Sequence, residues 1–314
     1  MVIFMKKKRN CILSVILCVI MIMSISSVAI AEMPTINDVH MEMDALWEQM
    51  VAEAEAAVTP EQIAEIEKQM VEEENFFSNL TPYTLWEVFI EDNPEVLESR
   101  AAIRDVWQEI EKLYDYMIST SSVMPISPMS NSPLTGGIES YTRALSQADG
   151  LTNLVVRSAI EASAATAATT ARSIYPNNRW RQDAFRHYLW NFTAVQNTLV
   201  GITQNGRVNS ARIYTTNREL ATNIMRRTPS LNVSNPNANQ RVTMVNLRNI
   251  ILNSNFTMWE SFFTTAGGRE DLMDLWNNEK GRIDGLIFSG RGAHPAFVNR
   301  WNANTLIEVI VQLM

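Results

Sequence analysis

Cysteine and histidine are scarce in this sequence of 314 residues. The two cysteines, Cys11 and Cys18, lie in an apolar N-terminal segment, and the three histidines are His40, His187 and His294. Without that segment the chain has no cysteine, which excludes disulfides, a thiolate nucleophile and a cysteine-ligated zinc site. The sequence also lacks a G-x-S-x-G elbow, a P-loop and an H-E-x-x-H helix. These absences exclude the serine nucleophile of α/β-hydrolases, the P-loop phosphate site and the zinc site of H-E-x-x-H metalloproteases.

Sustained alternation of apolar and polar residues, the sign of β-strands, is absent as well, whereas helical periodicity recurs along the chain. The sequence therefore predicts an all-α protein, with a multi-helix C-terminal domain preceded by an acidic helical N-terminal region. Among the predicted helices are residues 139–173, 209–227, 240–253 and 269–280. Gly281 would be the left-handed residue just beyond the last of these.

The N-terminus has the form of a bacterial export signal. Lys6-Lys7-Lys8-Arg9 is followed by an uncharged run from Cys11 to Ala29, and Ala29-Ile30-Ala31 has the A-x-A form of a cleavage site. Residues 1–31 are therefore predicted to be a cleaved signal peptide, and the protein to be secreted or extracellular. If the segment is not cleaved, it is long enough to anchor the protein in a membrane.

Charge is distributed unevenly along the remaining chain. Residues 32–118 contain 22 acidic against four basic residues, whereas residues 139–314 contain 18 basic against 12 acidic ones. Between them, residues 119–138 form a Ser/Pro/Gly linker at which we place a domain boundary. Either the two parts are separately solvated, or the acidic residues 32–118 contact the arginine-rich domain and mask it as a pro-segment would.

Residues 180–192 are the most informative segment. On a helix, one arc carries the polar residues together with an indole, and the opposite arc is apolar. The polar arc consists of Asp183, Arg186, His187, Trp190 and Asn191, and the apolar arc of Ala184, Phe185, Tyr188, Leu189 and Phe192. Packing requires only the apolar arc, so the polar arc indicates a candidate site.

Asp183 and His187 are four residues apart, so the carboxylate can orient the imidazole as a general acid or base. Arg186 on the same face can bind an anionic group. The alternative is an ordinary surface ion pair. His294, in a glycine-rich loop, is either a solvated histidine or a second imidazole brought to the site by folding.

A second segment, residues 273–282, places Asp274 on one helix face with Asn277 and Asn278. The two amides can hold a substrate or orient Asp274, or they can simply cap the end of the helix. Arg282 can bind an anion or neutralise the helix C-terminus.

The two segments, D-A-F-R-H-x-x-W-N and M-D-L-x-N-N-x-x-G-R, resemble a bacterial domain of unknown function found in secreted proteins and at the ends of toxin-like chains. The resemblance covers roughly residues 175–285 and points to the residues of both motifs as the site. Members usually carry Ala-His-Glu before the second motif. The counterpart here is Met258-Trp259-Glu260, in which Trp259 replaces the histidine.

Two interpretations follow. In the first, the protein is a secreted hydrolase acting on an anionic or cell-envelope substrate. His187 is then the general acid or base, Asp183 orients it, and Glu260 or Asp274 is the second carboxylate. Substrate binding is assigned to Arg186, Trp190, Asn191, Asn277, Asn278 and Arg282.

In the second interpretation, the same residues form a structural polar network in a non-catalytic cell-envelope interaction protein. The sequence leaves cofactors open, because one imidazole with three carboxylates could hold a hard cation or a weakly bound zinc ion. The arginines are not interleaved with aromatic residues as in nucleic-acid modules, so nucleic-acid binding is not predicted.

Overall fold

The computed structural model describes residues 36–121, 135–254, 266–288 and 292–302. These four stretches contain eleven α-helices and no strand, so the all-α prediction is confirmed. The predicted signal peptide, residues 1–31, lies outside the described residues, as do Glu260 and the neighbouring Trp259. Within the described stretches, no helix has both the length and the apolar character required to cross a bilayer.

The helices are numbered in chain order. The first four are α1 (Ile36–Ala56), α2 (Pro60–Ser78), α3 (Pro82–Asp92) and α4 (Arg100–Ser121). They are followed by α5 (Thr135–Ala148), α6 (Leu154–Ile174), α7 (Arg179–Ala194), α8 (Gln204–Arg227), α9 (Ala238–Asn253), α10 (Ala266–Ile287) and α11 (Ala293–Asn302).

The chain divides into two compact units, residues 1–48 and 49–314. Of the first unit, the structure describes only residues 36–48, in α1. The second unit contains helices from both sides of the predicted linker, residues 119–138. Because residues 122–134 lie outside the described residues, the domain boundary placed there stays a prediction.

Short polar side chains begin several of the helices. At α2, Thr59 Oγ1 accepts a hydrogen bond from the Gln62 backbone at 3.3 Å, and Gln62 Oε1 accepts one from the Thr59 backbone at 3.0 Å. Asn237 and Gln240 form the same reciprocal pair at the start of α9. These caps satisfy backbone N–H groups that have no partner inside the helix, so local sequence sets where these helices begin.

The single helix predicted over residues 139–173 is wrong, because the chain turns between α5 and α6. Gly150 has a φ of +85°, which a residue with a Cβ rarely adopts. Asn153 Oδ1 then accepts hydrogen bonds from the Val155 and Val156 backbones at 2.9 and 3.2 Å, which starts α6. The turn gives α6 a direction of its own and lets it pack along α7.

Glu73 on α2 is a buried carboxylate that lies between two arginines of later helices. Its Oε1 is 3.1 Å from Arg157 Nη1 on α6, and its Oε2 is 3.7 Å from Arg241 Nη1 on α9. Burial lowers the pKa of both arginines below the usual value, and Glu73 opposes that effect. The carboxylate therefore offsets the cost of burying two guanidinium groups.

Replacing Glu73 by Gln tests this contact. The change removes the negative charge and leaves two buried arginines uncompensated, so we expect the free energy of unfolding to fall by about 3–5 kcal/mol. Urea denaturation followed by circular dichroism measures the loss. Glu72→Gln is the control, because Glu72 forms only an exposed pair with Lys68, and it should change stability by less than about 0.5 kcal/mol. Equal stability of the two variants would contradict the assignment.

Helices α7 and α10 run in the same direction and approach closely. The residue numbers at successive contacts increase along both helices, since Gly281 lies against Tyr188 and Gly285 lies against Phe192. A Cβ at Gly281 would lie 2.1 Å from the Tyr188 carbonyl oxygen, and one at Gly285 would lie 2.7 Å from that of Phe192. The predicted role of Gly281 as a left-handed residue after the helix is therefore wrong: α10 continues to Ile287, and the glycine provides room for α7.

Gly281→Ala is expected to lower the free energy of unfolding by about 1–3 kcal/mol, because the methyl group must displace the α7 backbone. Thermal and urea denaturation give the value. Gly292→Ala serves as the control, since a Cβ there meets nothing closer than 3.4 Å. A Gly281→Ala protein as stable as the Gly292→Ala protein would show that the two helices can separate without cost.

Candidate functional site

Helix α7 carries three polar side chains at intervals of four residues: Asp183, His187 and Asn191. This spacing places them on one face of the helix. Phe185 lies on the opposite arc, where its ring centroid is 4.7 Å from that of Phe297 on α11. The division into a polar and an apolar arc, inferred from the sequence, is thus present in the structure, except that Trp190 of the predicted polar arc packs in the core.

The Nδ1 atom of the buried His187 faces two acceptors on other helices. It lies 3.3 Å from Asn278 Oδ1 on α10 and 3.4 Å from Glu219 Oε1 on α8. Asn278 Oδ1 also accepts a hydrogen bond from Asn191 Nδ2 at 2.6 Å, which fixes the orientation of the Asn278 amide. Nδ1 has only acceptors as neighbours, whereas Arg186 donates to Nε2, so Nδ1 carries the hydrogen in the neutral ring.

The Nε2 atom of His187 faces two aspartates and one arginine. It lies 3.2 Å from Asp274 Oδ1 and 3.9 Å from Asp183 Oδ1, and Arg186 donates a short hydrogen bond to it. Burial, reinforced by the positive charge of Arg186, holds the pKa of His187 well below its usual value. The ring is therefore neutral, and its Nε2 lone pair points into a group of carboxylate oxygens.

A second layer of hydrogen bonds lies behind the imidazole. Asn191 Oδ1 accepts a hydrogen bond at 2.7 Å from Arg282 Nη1, which also donates to Thr215 Oγ1 at 3.0 Å. Arg282 Nη2 lies 2.7 Å from Glu279 Oε2, whose side chain is half exposed. Burial lowers the pKa of Arg282, an effect that Glu279 opposes. This layer fixes Asn191 and, through it, Asn278.

Solvent reaches the site from the side of Asp183 and Arg186. The side chains of Asp183 and Arg186 are 30% and 21% exposed, whereas those of His187 and Asp274 are 3% and 10% exposed. Arg186 Nη2 lies 2.5 Å from Asp183 Oδ1. A small molecule would therefore meet Asp183 and Arg186 before it met the imidazole.

The structure places the predicted site residues in two groups and leaves one undescribed. Those joined by contacts around the imidazole are Asp183, Arg186, His187, Asn191, Asp274, Asn278 and Arg282. Trp190 and Asn277 are fully buried. Trp190 Nε1 donates to the Ile160 carbonyl at 2.9 Å, and its ring packs near Tyr214, so its contacts are those of the core. Glu260 lies outside the described residues.

Glu219 and Thr215 on α8 were not singled out from the sequence, yet both reach the site. One signal was available: Glu219 is the only acidic residue of a helix that holds five arginines. Its contact with His187 joins residues 32 positions apart, and helical spacing within one segment cannot reveal such a pairing.

His294 does not join this cluster. It belongs to α11, where its Nε2 lies 2.9 Å from the Tyr175 hydroxyl and its ring packs edge-on against Phe185. Phe185 is on the apolar arc of α7, opposite the site. His294 is therefore neither a solvated loop residue nor a second imidazole of the site.

Residues 151–291 match the model of a family described as a domain of unknown function (DUF6973). The match supports the resemblance to a domain of unknown function, and it extends from just before α6 to just beyond α10. Every described residue of the site lies within it. No curated protein and no solved structure matches the chain.

Asn278→Leu probes the hydrogen bonds that hold the imidazole in the matched region. Leucine removes the acceptor shared by His187 Nδ1 and Asn191 Nδ2, so we expect the free energy of unfolding to fall by about 1–3 kcal/mol. Urea denaturation provides the measurement. Asn299→Leu on α11, an exposed position, is the control and should be near neutral. A neutral Asn278→Leu would mean that the two helices meet without this bond.

Proposed function

We propose that the C-terminal helices form a hydrolase that activates water beside His187 and acts on an anionic ester. The observation that carries this proposal is the neutral imidazole, held by Asn278 at Nδ1 and facing Asp274 at Nε2, 3.2 Å away. An oriented imidazole next to a carboxylate is a common device for water activation. Buried titratable groups of this kind concentrate at functional sites.

The substrate class follows from charge. Arg186 stands at the open side of the site, and a guanidinium matches the geometry of a phosphate or carboxylate. In a phosphoester, the water oxygen bonds to phosphorus and the bond from phosphorus to the leaving oxygen breaks. The proton lost by the water balances the one that the leaving oxygen takes up.

The remaining residues of the site have positioning roles in this proposal. Asn278 and Asn191 are fully buried and Arg282 nearly so, and they hold the imidazole from behind rather than facing solvent. These residues, predicted from the sequence to bind substrate, act in this proposal through His187.

We also infer that the protein works outside the cytoplasm, because residues 1–31 have the form of an export signal. The substrate would then be extracellular or part of the cell envelope. The acidic segment 32–118 would contact the arginine-rich helices through Glu73, which pairs with Arg157 and Arg241. Activity and stability of Glu73→Gln, both measured on the full chain, would show whether this contact regulates the site or only stabilises it.

The decisive variants are Asp274→Asn and His187→Asn. The full chain is assayed with bis(p-nitrophenyl) phosphate, an anionic diester, and with p-nitrophenyl acetate, a neutral ester. We expect hydrolysis of the diester, with kcat reduced by about a hundredfold or more in both variants. Asp105→Asn is the control, since Asp105 is exposed and pairs only with Arg104, and it should retain full activity.

Melting temperatures measured on the same samples separate loss of catalysis from loss of folding. Full activity in Asp274→Asn would overturn the proposal, because that substitution keeps the shape of the side chain and removes its charge. Absence of hydrolysis of either ester by the wild-type protein would favour the second candidate function.

That second candidate is a non-catalytic interaction protein in which the polar cluster only fixes how the helices pack. The observation in its favour is the closed network of Asn191, Asn278, Arg282 and Thr215. Buried networks of this kind can specify a single arrangement of helices. Under this candidate, His187→Asn lowers stability by several kcal/mol and no ester is hydrolysed.

A further inference from the structure

Three acceptor atoms converge on one point of the site. His187 Nε2 and carboxylate oxygens of Asp183 and Asp274 all lie within 4.8 Å of one another. Two of the three atoms belong to carboxylates, and the third is an imidazole nitrogen that Arg186 contacts. Two carboxylates this close repel each other unless a positive charge lies among the three atoms.

The far side of the imidazole supplies an independent observation. A histidine that binds a metal ion through one nitrogen nearly always donates the other N–H to a carboxylate or carbonyl group. Here Nδ1 faces both kinds of acceptor, the Glu219 carboxylate at 3.4 Å and the Asn278 amide oxygen at 3.3 Å. The ring is thus held in the tautomer and orientation of a ligand that binds through Nε2.

The distances between the three ligand atoms and the exposure of Asp183 agree with a metal site. An ion bound tetrahedrally at about 2.1 Å places neighbouring ligand atoms about 3.4 Å apart. The separation of Nε2 from Asp274 Oδ1 is 3.2 Å, and that from Asp183 Oδ1 is 3.9 Å. Three protein ligands leave room for water, and Asp183 is the ligand that reaches solvent. This is the form of a catalytic rather than a structural metal site.

In the structure, Arg186 supplies this positive charge. Its guanidinium bonds to both Asp183 Oδ1 and His187 Nε2, two of the three candidate ligand atoms. A metal ion would therefore compete with it. Because its side chain is 21% exposed, Arg186 can swing towards solvent when an ion enters. From there it can still contact an anionic substrate.

We propose that Asp183, His187 and Asp274 bind one divalent transition-metal ion in exchange for the Arg186 guanidinium. One imidazole nitrogen with two carboxylate oxygens suits Zn²⁺ first and Mn²⁺ second, whereas Mg²⁺ prefers oxygen ligands alone. Such an ion would lower the pKa of a bound water, which would lose a proton to solvent. The resulting hydroxide oxygen would bond to the phosphorus of the ester while the bond from phosphorus to the leaving oxygen breaks, and the leaving oxygen would take up a proton from solvent. His187 is then a ligand and not the general base predicted from the sequence.

The test is isothermal titration calorimetry on the chelator-treated full chain, with ZnCl₂, MnCl₂ and MgCl₂ titrated separately. We expect one Zn²⁺ per chain, weaker Mn²⁺ binding and no measurable Mg²⁺ binding. Asp183→Asn and Asp274→Asn should each weaken Zn²⁺ binding by at least about tenfold. Asp105→Asn should bind as the wild-type protein does, because Asp105 lies on α4 and pairs with Arg104.

Arg186→Gln provides the sharpest comparison, because it keeps the other three side chains and removes the competing cation. We expect tighter Zn²⁺ binding in this variant, whereas an adventitious surface site would not respond. Absence of Zn²⁺ binding at micromolar concentrations, or equal affinity in the wild-type and Asp274→Asn proteins, would overturn the proposal.

The catalytic role of the ion rests on the proposed hydrolase function, whereas binding of the ion does not. Experiment can therefore contradict the metal site and the hydrolase function separately. Zn²⁺ bound by these three residues in a protein that hydrolyses no ester supports the metal site and overturns the hydrolase. Hydrolysis that requires Asp274 but is unchanged after chelation overturns the metal site and leaves His187 as the base.

Discussion

The close approach of α7 and α10 is the constraint on which the rest of the site depends. At Gly281 and Gly285 one helix lies against the backbone of the other, since a Cβ at either position would meet a carbonyl oxygen of α7. At this separation, short side chains such as Asp274 and Asn278 can reach His187. If the helices were further apart, the same residues would face solvent, where an imidazole and a carboxylate interact only weakly. The site therefore follows from packing as much as from its own side chains.

Burial makes the polar contacts between these helices selective as well as stabilising. A buried amide that loses its partner cannot turn to water, so a shift of α10 along α7 would leave several groups unsatisfied. Asn191 forms hydrogen bonds with Asn278 and Arg282, and Tyr188 donates one to Asp284 at 2.8 Å. The register of α10 along α7 is therefore fixed at more than one position. This rigidity holds the imidazole in a single orientation.

The sequence predicts what depends on neighbours along the chain. Helical spacing placed Asp183, His187 and Asn191 on one face of α7. The sequence does not predict contacts between distant segments, such as that of Glu219 with His187. Gly281 was misread because a glycine after a helix and a glycine between two helices look alike in sequence. Only the position of α7 distinguishes them, since a Cβ there would meet the Tyr188 carbonyl.

Arg186 has two roles in this account: it pairs with Asp183 and His187 in the packed site, and in the proposed reaction it would bind an anionic substrate. Asp183 and Asp274 bring two negative charges next to a neutral ring, and the protein places one guanidinium against Asp183 and the ring. A guanidinium carries one charge and cannot activate water, whereas a divalent ion carries two and can. In the proposed metal site, an arginine at this position would hold the cluster together in the absence of an ion and would give way to an ion that binds more strongly. The same residue would stabilise the resting state and, once displaced, stand free to meet an anionic substrate.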